Sequence, residues 1–258
     1  MAQSFWFPAV GRVAALPDEL GVLGRSGKEN GHAFGESILM SKRSYPLDWQ
    51  GEKIELLPDR AIFWAKQNTL YIADTHFGKA ATFRKAGIPV SEHTTEEDLQ
   101  RLEKLVNDTQ AERLVILGDF LHARAGRTEP VRTLLFHWRE KFRSLAIILI
   151  RGNHDLQSGD PWPELGIECL PDPSSEGNWD LRHLPIESPN RPFIAGHLHP
   201  GFRIQGKARD SLRSPCWVVG PKRIIFPAFG SFTGLKNIKL EMGEIAYLTN
   251  GKEVLPLC

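Results

Sequence analysis

Several absences narrow this chain of 258 residues before any motif is read. Cysteine is scarce: Cys169, Cys216 and Cys258 are odd in number, far apart and without a Cys-x-x-Cys pair. That pattern argues against a disulfide framework and for a reducing, cytoplasmic setting, with Cys169 and Cys216 as core residues. No apolar stretch approaches the roughly 20 residues of a membrane span, and the first residues lack the basic-then-apolar order of a secretory signal, so no membrane partner is expected. Charge excess is missing as well. With a formal net charge of +1, bulk charge offers no case for nucleic acid, and any such case must rest on local patches. No internal repeat occurs. What is present, 41% hydrophobic and 24% charged residues, suits one large α/β domain with a real core.

Residues 1–39 differ from the rest. They are rich in Gly, Ser and Asn and lack a sustained period, which reads as a disordered extension. Met40 is then the expected natural start, and 40–258 a single domain; mass spectrometry of the native N-terminus tests this. Patterned sequence begins at Ile54. Ile54–Leu57, Ala61–Ala65 and Thr69–Ala73 read as strands, and Arg113–Leu117 and Leu145–Ile150 as buried strands of a largely parallel sheet. Between them, Thr94–Thr109 opens with a cap and early acids and carries Leu99, Leu102, Leu105 and Val106 at helical spacing. Glu129–Phe142 is a second helix, with Pro130 in its first turn. After Asp155 helical periodicity fades and short strand candidates recur at Trp179–Arg182, Phe193–Ala195, Phe202–Gln205, Cys216–Val219, Arg223–Phe226, Asn237–Leu240, Ile245–Leu248 and Glu253–Leu255. This half reads as a β-rich layer packed on the first.

Four polar islands each follow an apolar run: Asp74-Thr75-His76, Gly118-Asp119, Gly152-Asn153-His154-Asp155 and Gly196-His197-Leu198-His199. On extended backbone, alternate residues of Asp-x-His and His-x-His face the same side and can aim at one point. The glycines allow close approach of the backbone where a Cβ would collide. Carboxylate, carboxamide and imidazole form a mixed oxygen and nitrogen donor set that suits Mn, Fe or Zn better than Mg or Ca.

This order of motifs, from about Thr69 to Gly234, resembles the calcineurin-like metallophosphoesterases, and the resemblance implies an α/β sandwich of two mixed sheets flanked by helices. It also implies two divalent metal ions, with Mn2+ favoured. Asp74, His76 and His199 would hold one; Asn153, His183 and His197 would hold the other; Asp119 would bridge them. His183 is the lone histidine between Asp155 and Gly196. His154 would meet the substrate phosphate and leaving oxygen, with Asp155 orienting it. Such a centre acidifies water and neutralises an anionic diester for in-line attack. Finer likeness, in Ala73–Ala80, Phe83–Ile88, Gly196–Gly201, Pro215-Cys216 and Pro227–Gly234, is to the ligase-associated DNA-damage-response branch called PdeM. That branch implies an endonuclease or phosphodiesterase acting on DNA in repair, associated with an ATP-dependent DNA ligase, a helicase and an exonuclease. Thr75 and Phe77 stand where leucines are expected.

Basic residues flank the islands: Lys79, Arg84 and Lys85, then Arg124 and Arg127, then Arg203, Lys207, Arg209 and Arg213. Most surface cations are merely solvated, but Lys79 and Arg84 are the candidates for substrate contact. His93 and His137 read as surface residues. The rival readings are a phosphoesterase for small molecules such as 2′,3′-cyclic nucleotides and a non-catalytic scaffold; the latter predicts damaged ligand motifs, and none is damaged.

Overall fold

Alternating and then unbroken apolar runs lay down the first sheet in chain order. The computed structural model describes residues 43–91, 93–186, 191–205 and 211–257, so the expectations for 1–39, Lys207 and Arg209 lie outside the described residues. Strands β1 (Tyr45–Trp49), β2 (Glu52–Leu57), β3 (Ala61–Trp64) and β4 (Thr69–Ile72) form an antiparallel meander. Strands β5 (Arg113–Leu117), β6 (Ala146–Ile150) and β7 (Ile167–Leu170) then add in parallel beyond β4. Parallel neighbours need crossovers, and helices supply them: α1 (Lys79–Lys85) and α2 (Thr94–Thr109) between β4 and β5, α3 (Glu129–Lys141) between β5 and β6, and the short α4 (Asn153–Ser158) after β6. Leu99, Leu102, Leu105 and Val106 of α2 and Val131, Leu135 and Trp138 of α3 pack with Leu70, Ile72, Leu114 and Ile116 on one face of the sheet.

The other face meets a second sheet of β8 (Ser174–Glu176), β9 (Trp179–Arg182), β10 (Phe193–Ala195), β11 (Pro200–Gln205), β12 (Ser211–Val219), β13 (Arg223–Ile225), β14 (Lys236–Asn237), β15 (Ile245–Thr249) and β16 (Val254–Pro256). Here β10 runs parallel to both β9 and β13, while the pairings of β12 with β11, β13 and β15 are antiparallel. The two mixed sheets enclose an apolar layer in which Trp179 of β9 lies 5.4 Å from Trp49 and 4.8 Å from Trp64, ring centre to ring centre. Arg113 of β5 grips both carboxylate oxygens of Glu176 in β8 and ties the sheets at one end.

The expected spans of α2, β5, β9 and β10 coincide with the structure, and α3 and β6 differ by one residue. Five elements were not anticipated, among them the six-residue α4, which carries the Asn153-His154-Asp155 island and is too short to show a helical period. β1 has alternation but carries Pro46 at the sheet edge, β7 is a four-residue edge strand, and Ser174-Ser-Glu176 is too polar to read as β8. α1 is two turns that bury only Ala80 and Ala81, too little for a 3.6-residue period to show. Among the described residues no helix is long and apolar enough to cross a membrane.

Candidate metal centre

Registry brings the islands together. β4, β5 and β6 are parallel and aligned, with Ile72 beside Ile116 and Leu117 beside Ile150, so the loops after them begin at one level. In the second sheet Ala195 pairs with Arg182, which puts His183 and His197 side by side at the same end of the sandwich. Carboxyl ends of parallel strands leave loops free to carry polar groups there.

The expectation of extended backbone through Asp-x-His and His-x-His does not hold. Asp74, His76, Asp119, His197 and His199 all have positive φ, between 46° and 71°. Such left-handed turns are uncommon for residues with a Cβ and cost on the order of 1–3 kcal/mol where sparsely populated. The side chains converge because the chain twists at each donor, not because the residues alternate. The turns are held by a ladder of amides: Asp74 N–H donates to Gly118 O, and His76 N–H to Asp119 O at 2.9 Å. Phe229 N–H donates to Ala73 O at 2.7 Å, and Gly230 N–H to Asp74 O. Asp98 of α2 accepts the Ser231 amide, and Arg60 and Arg101 donate to the carbonyls of Ala228 to Gly230. The Pro227–Gly234 segment is thereby a backstop for the first island.

Two donor groups face each other across Asp119. Asp74, His76 and His199 form one; His183 and His197, with Asp119 itself, form the other. His76 Nε2 and His199 Nε2 are 3.3 Å apart, and His183 Nε2 is 2.9 Å from Asn153 Oδ1 and 3.1 Å from His197 Nδ1. Asp119 turns one oxygen to each group: Oδ1 is 3.4 Å from His183 Nε2, and Oδ2 is 3.8 Å from His76 Nε2. His183 Nδ1–H donates to Leu117 O at 3.0 Å, which fixes the tautomer that leaves Nε2 free to ligate. Every nominated donor is therefore in the cluster.

Electrostatics indicate what the cluster suits. Asp74 Oδ1 is buried with no hydrogen-bond partner, a costly state for a carboxylate oxygen. Burial, followed by the neighbouring His199, drives His76 well below the usual imidazole range, so it is a neutral lone-pair donor. Burial likewise lowers His197, and it raises Asp119 above the usual carboxylate range. Neutral imidazoles crowded around strained, buried carboxylates are the donor set that divalent cations satisfy; the residues fit such ions.

Close approach explains the glycines. A Cβ on Gly118, whose φ is +80°, would enter the His183 ring; one on Gly152 would strike the Asp119 carboxylate; one on Gly196 would lie 2.6 Å from Asp74 Oδ2.

Asp155 does not orient His154 as expected. Its buried carboxylate accepts the amides of Gly152 and Asp119 at 2.8 Å and Phe120 at 3.0 Å. It staples the loop after β6 to the loop after β5, and burial lifts it to about 6 despite those donors. His154 Nδ1–H instead donates to the His122 carbonyl at 2.5 Å, leaving Nε2 3.9 Å from Asp119 Oδ2.

His122 itself escaped the sequence reading. Its ring stacks on His154, Nδ1 lies 3.4 Å from His76 Nδ1, and burial followed by Lys79 lowers it to about 4. With His76 and His154 it forms a third histidine group. The only signal available was its place three residues after Asp119. Lys79 is half-buried beside these rings, with burial lowering its pKa, whereas the Arg84 guanidinium donates to the carbonyls of Val90 and Ser91. Arg127 is engaged by Gly159, Asp160 and the Trp162 ring. His93 and His137 are exposed.

Comparison with known proteins adds to this geometry. The family model described as Calcineurin-like phosphoesterase matches residues 68–212. The crystal structure of Pseudomonas putida nuclease MPE is 38% identical, with a TM-score of 0.74, and the match covers 83% of this chain and all of that one. Yfce, a phosphoesterase from E. coli, is 15% identical at a TM-score of 0.34, over 73% of this chain and 97% of its own. No curated protein matches.

Proposed function

The chain belongs to the calcineurin-like phosphoesterase family and is a metal-dependent phosphoesterase; from that premise we propose that it is a two-metal phosphodiesterase whose substrate is a nucleic-acid strand. The observation that carries the chemistry is Asp119, with one oxygen toward each donor group and the unpartnered Asp74 Oδ1 beside it. Asp74, His76 and His199 would hold one divalent ion, and Asn153, His183 and His197 the other, with Asp119 shared. Ions bound there supply positive charge to the phosphate and acidify the attacking water; manganese is the favoured ion.

The protein's own groups do the rest. The His122 carbonyl holds His154 Nδ1–H, so Nε2 is the atom presented to substrate. Protonated there, His154 donates to the departing oxygen. Lys79, held among His76, His122 and Phe232, adds positive charge on the same side. Likeness to a nuclease over that protein's whole length favours nucleic acid over a small diester. A place in DNA repair beside an ATP-dependent ligase, a helicase and an exonuclease extends this reading, and the genes encoded next to this one test it.

The decisive assay supplies Mn2+ to the purified protein with circular single-stranded DNA or 2′,3′-cyclic nucleotides. Metal-dependent DNA cleavage is expected; fast cyclic-nucleotide turnover with intact DNA would end the nuclease reading. Asp119→Asn should lose both metals by elemental analysis, and retention of both would contradict a shared ligand.

A further inference from the structure

A row of rings leads outward from the candidate centre. His154 stacks on His122 with centres 4.9 Å apart and planes 25° apart; Phe83 lies 6.2 Å from His122; Phe232 meets Phe83 edge-on at 5.4 Å. Phe77, Phe226 and Phe229 of the same chain are buried in the core, whereas Phe83 and Phe232 are only partly buried at this rim. Lys79 Nζ stands 5.9 Å over the Phe232 ring.

Both rings sit on fixed supports. Phe83 is on α1, whose start packs against Gly126 so closely that neither Gly78 nor Gly126 has room for a Cβ. Phe232 is on the backstop segment, held by the Ser231 amide on Asp98 and by Thr233 Oγ1–H donating to Gly230 O at 2.8 Å.

Resting on the nucleic-acid reading above, we propose that Phe83 and Phe232 form a base-binding subsite that stacks an unpaired base next to the phosphate being cut. A base lies one sugar away from its phosphate. With the phosphate at the metal donors, the adjacent base falls beyond them, where these rings stand. Aromatic faces accept any base, and only an unpaired base can offer its own face; Lys79 meets the backbone beside it. The subsite thus selects a single strand without reading its sequence.

The test compares wild type with Phe83→Leu, Phe232→Leu and the double variant, which keep apolar bulk but remove the rings. Substrates are a single-stranded oligonucleotide, the same oligomer with abasic positions flanking the cut, and a small diester as control. Each lost ring should raise KM for the oligonucleotide about tenfold with little change in kcat, in line with the measured worth of base stacking. Cleavage of the abasic oligomer should be the same in all proteins, and Phe232→Tyr should behave as wild type. Equal losses on both oligomers, no loss on either, or a Tyr variant as poor as Leu would overturn the subsite. A wild type that turns over the small diester but cuts neither oligomer would remove the nucleic-acid reading and the subsite with it. A wild type that cuts both, with unaffected variants, would remove the subsite alone.

Discussion

At the scale of single residues, the centre depends on atoms that are missing as much as on donors. Gly118→Ala removes no ligand, yet its Cβ would occupy the His183 ring position. Metal content measured by elemental analysis should fall, most for the ion assigned to His183, with far less change for a control such as Gly251→Ala, which has open space around it. His154→Ala should leave metal content nearly intact while lowering kcat by about a hundredfold or more, the usual worth of a positioned acid; metal loss would mean that His154 is a ligand. Asp155→Ala acts differently. It strips acceptors from the amides of Gly152, Asp119 and Phe120, so a stability loss of about 3 kcal/mol is expected by denaturant titration. These residues also show what the sequence made legible. Donor identities could be read from the motifs, but the roles of Asp155 and His122 could not, because Asp155 acts on amides, and His122 on imidazoles, brought from another loop.

At the scale of elements, the support is a set of loops clamped between strands and α2. The Pro227–Gly234 segment bonds the first island through Phe229 and Gly230 and is itself held through Asp98. Asp98→Asn keeps the size but weakens both the acceptor for Ser231 and the ion pair with Arg101. It should therefore lower the unfolding temperature by a few degrees, about 2–4 °C per kcal/mol in a domain of this size. It should also raise the metal concentration needed for half-maximal activity. Long helices and buried strands were legible because their periods persist over many residues. Two-turn α1, edge strand β7 and polar β8 were not, since they are specified by neighbours rather than by their own pattern.

At the scale of the whole molecule, the two sheets share one apolar layer, and burial there controls reactivity. Cys216 is fully enclosed, and burial pushes its thiol up to about 12; Cys169, partly enclosed, is raised to about 11. Both are free thiols, so at pH 8 each remains protonated and weakly nucleophilic. Mass-mapped alkylation of the native protein should spare Cys216 until denaturant is added; rapid native labelling would show that the sandwich opens locally. The sequence by itself determined the chemistry, because four polar islands and a lone histidine in a fixed order specify oxygen and nitrogen donors whatever their spatial arrangement. It also determined the layered α/β class, through apolar runs of strand and helix length. Only the tertiary structure decided how the donors converge. Left-handed turns at Asp74, His76, Asp119, His197 and His199 are high in energy for an isolated chain and persist because amides from distant loops hold them. The row of rings from His154 to Phe232 likewise exists only where α4, the loop after β5, α1 and the segment after β13 meet.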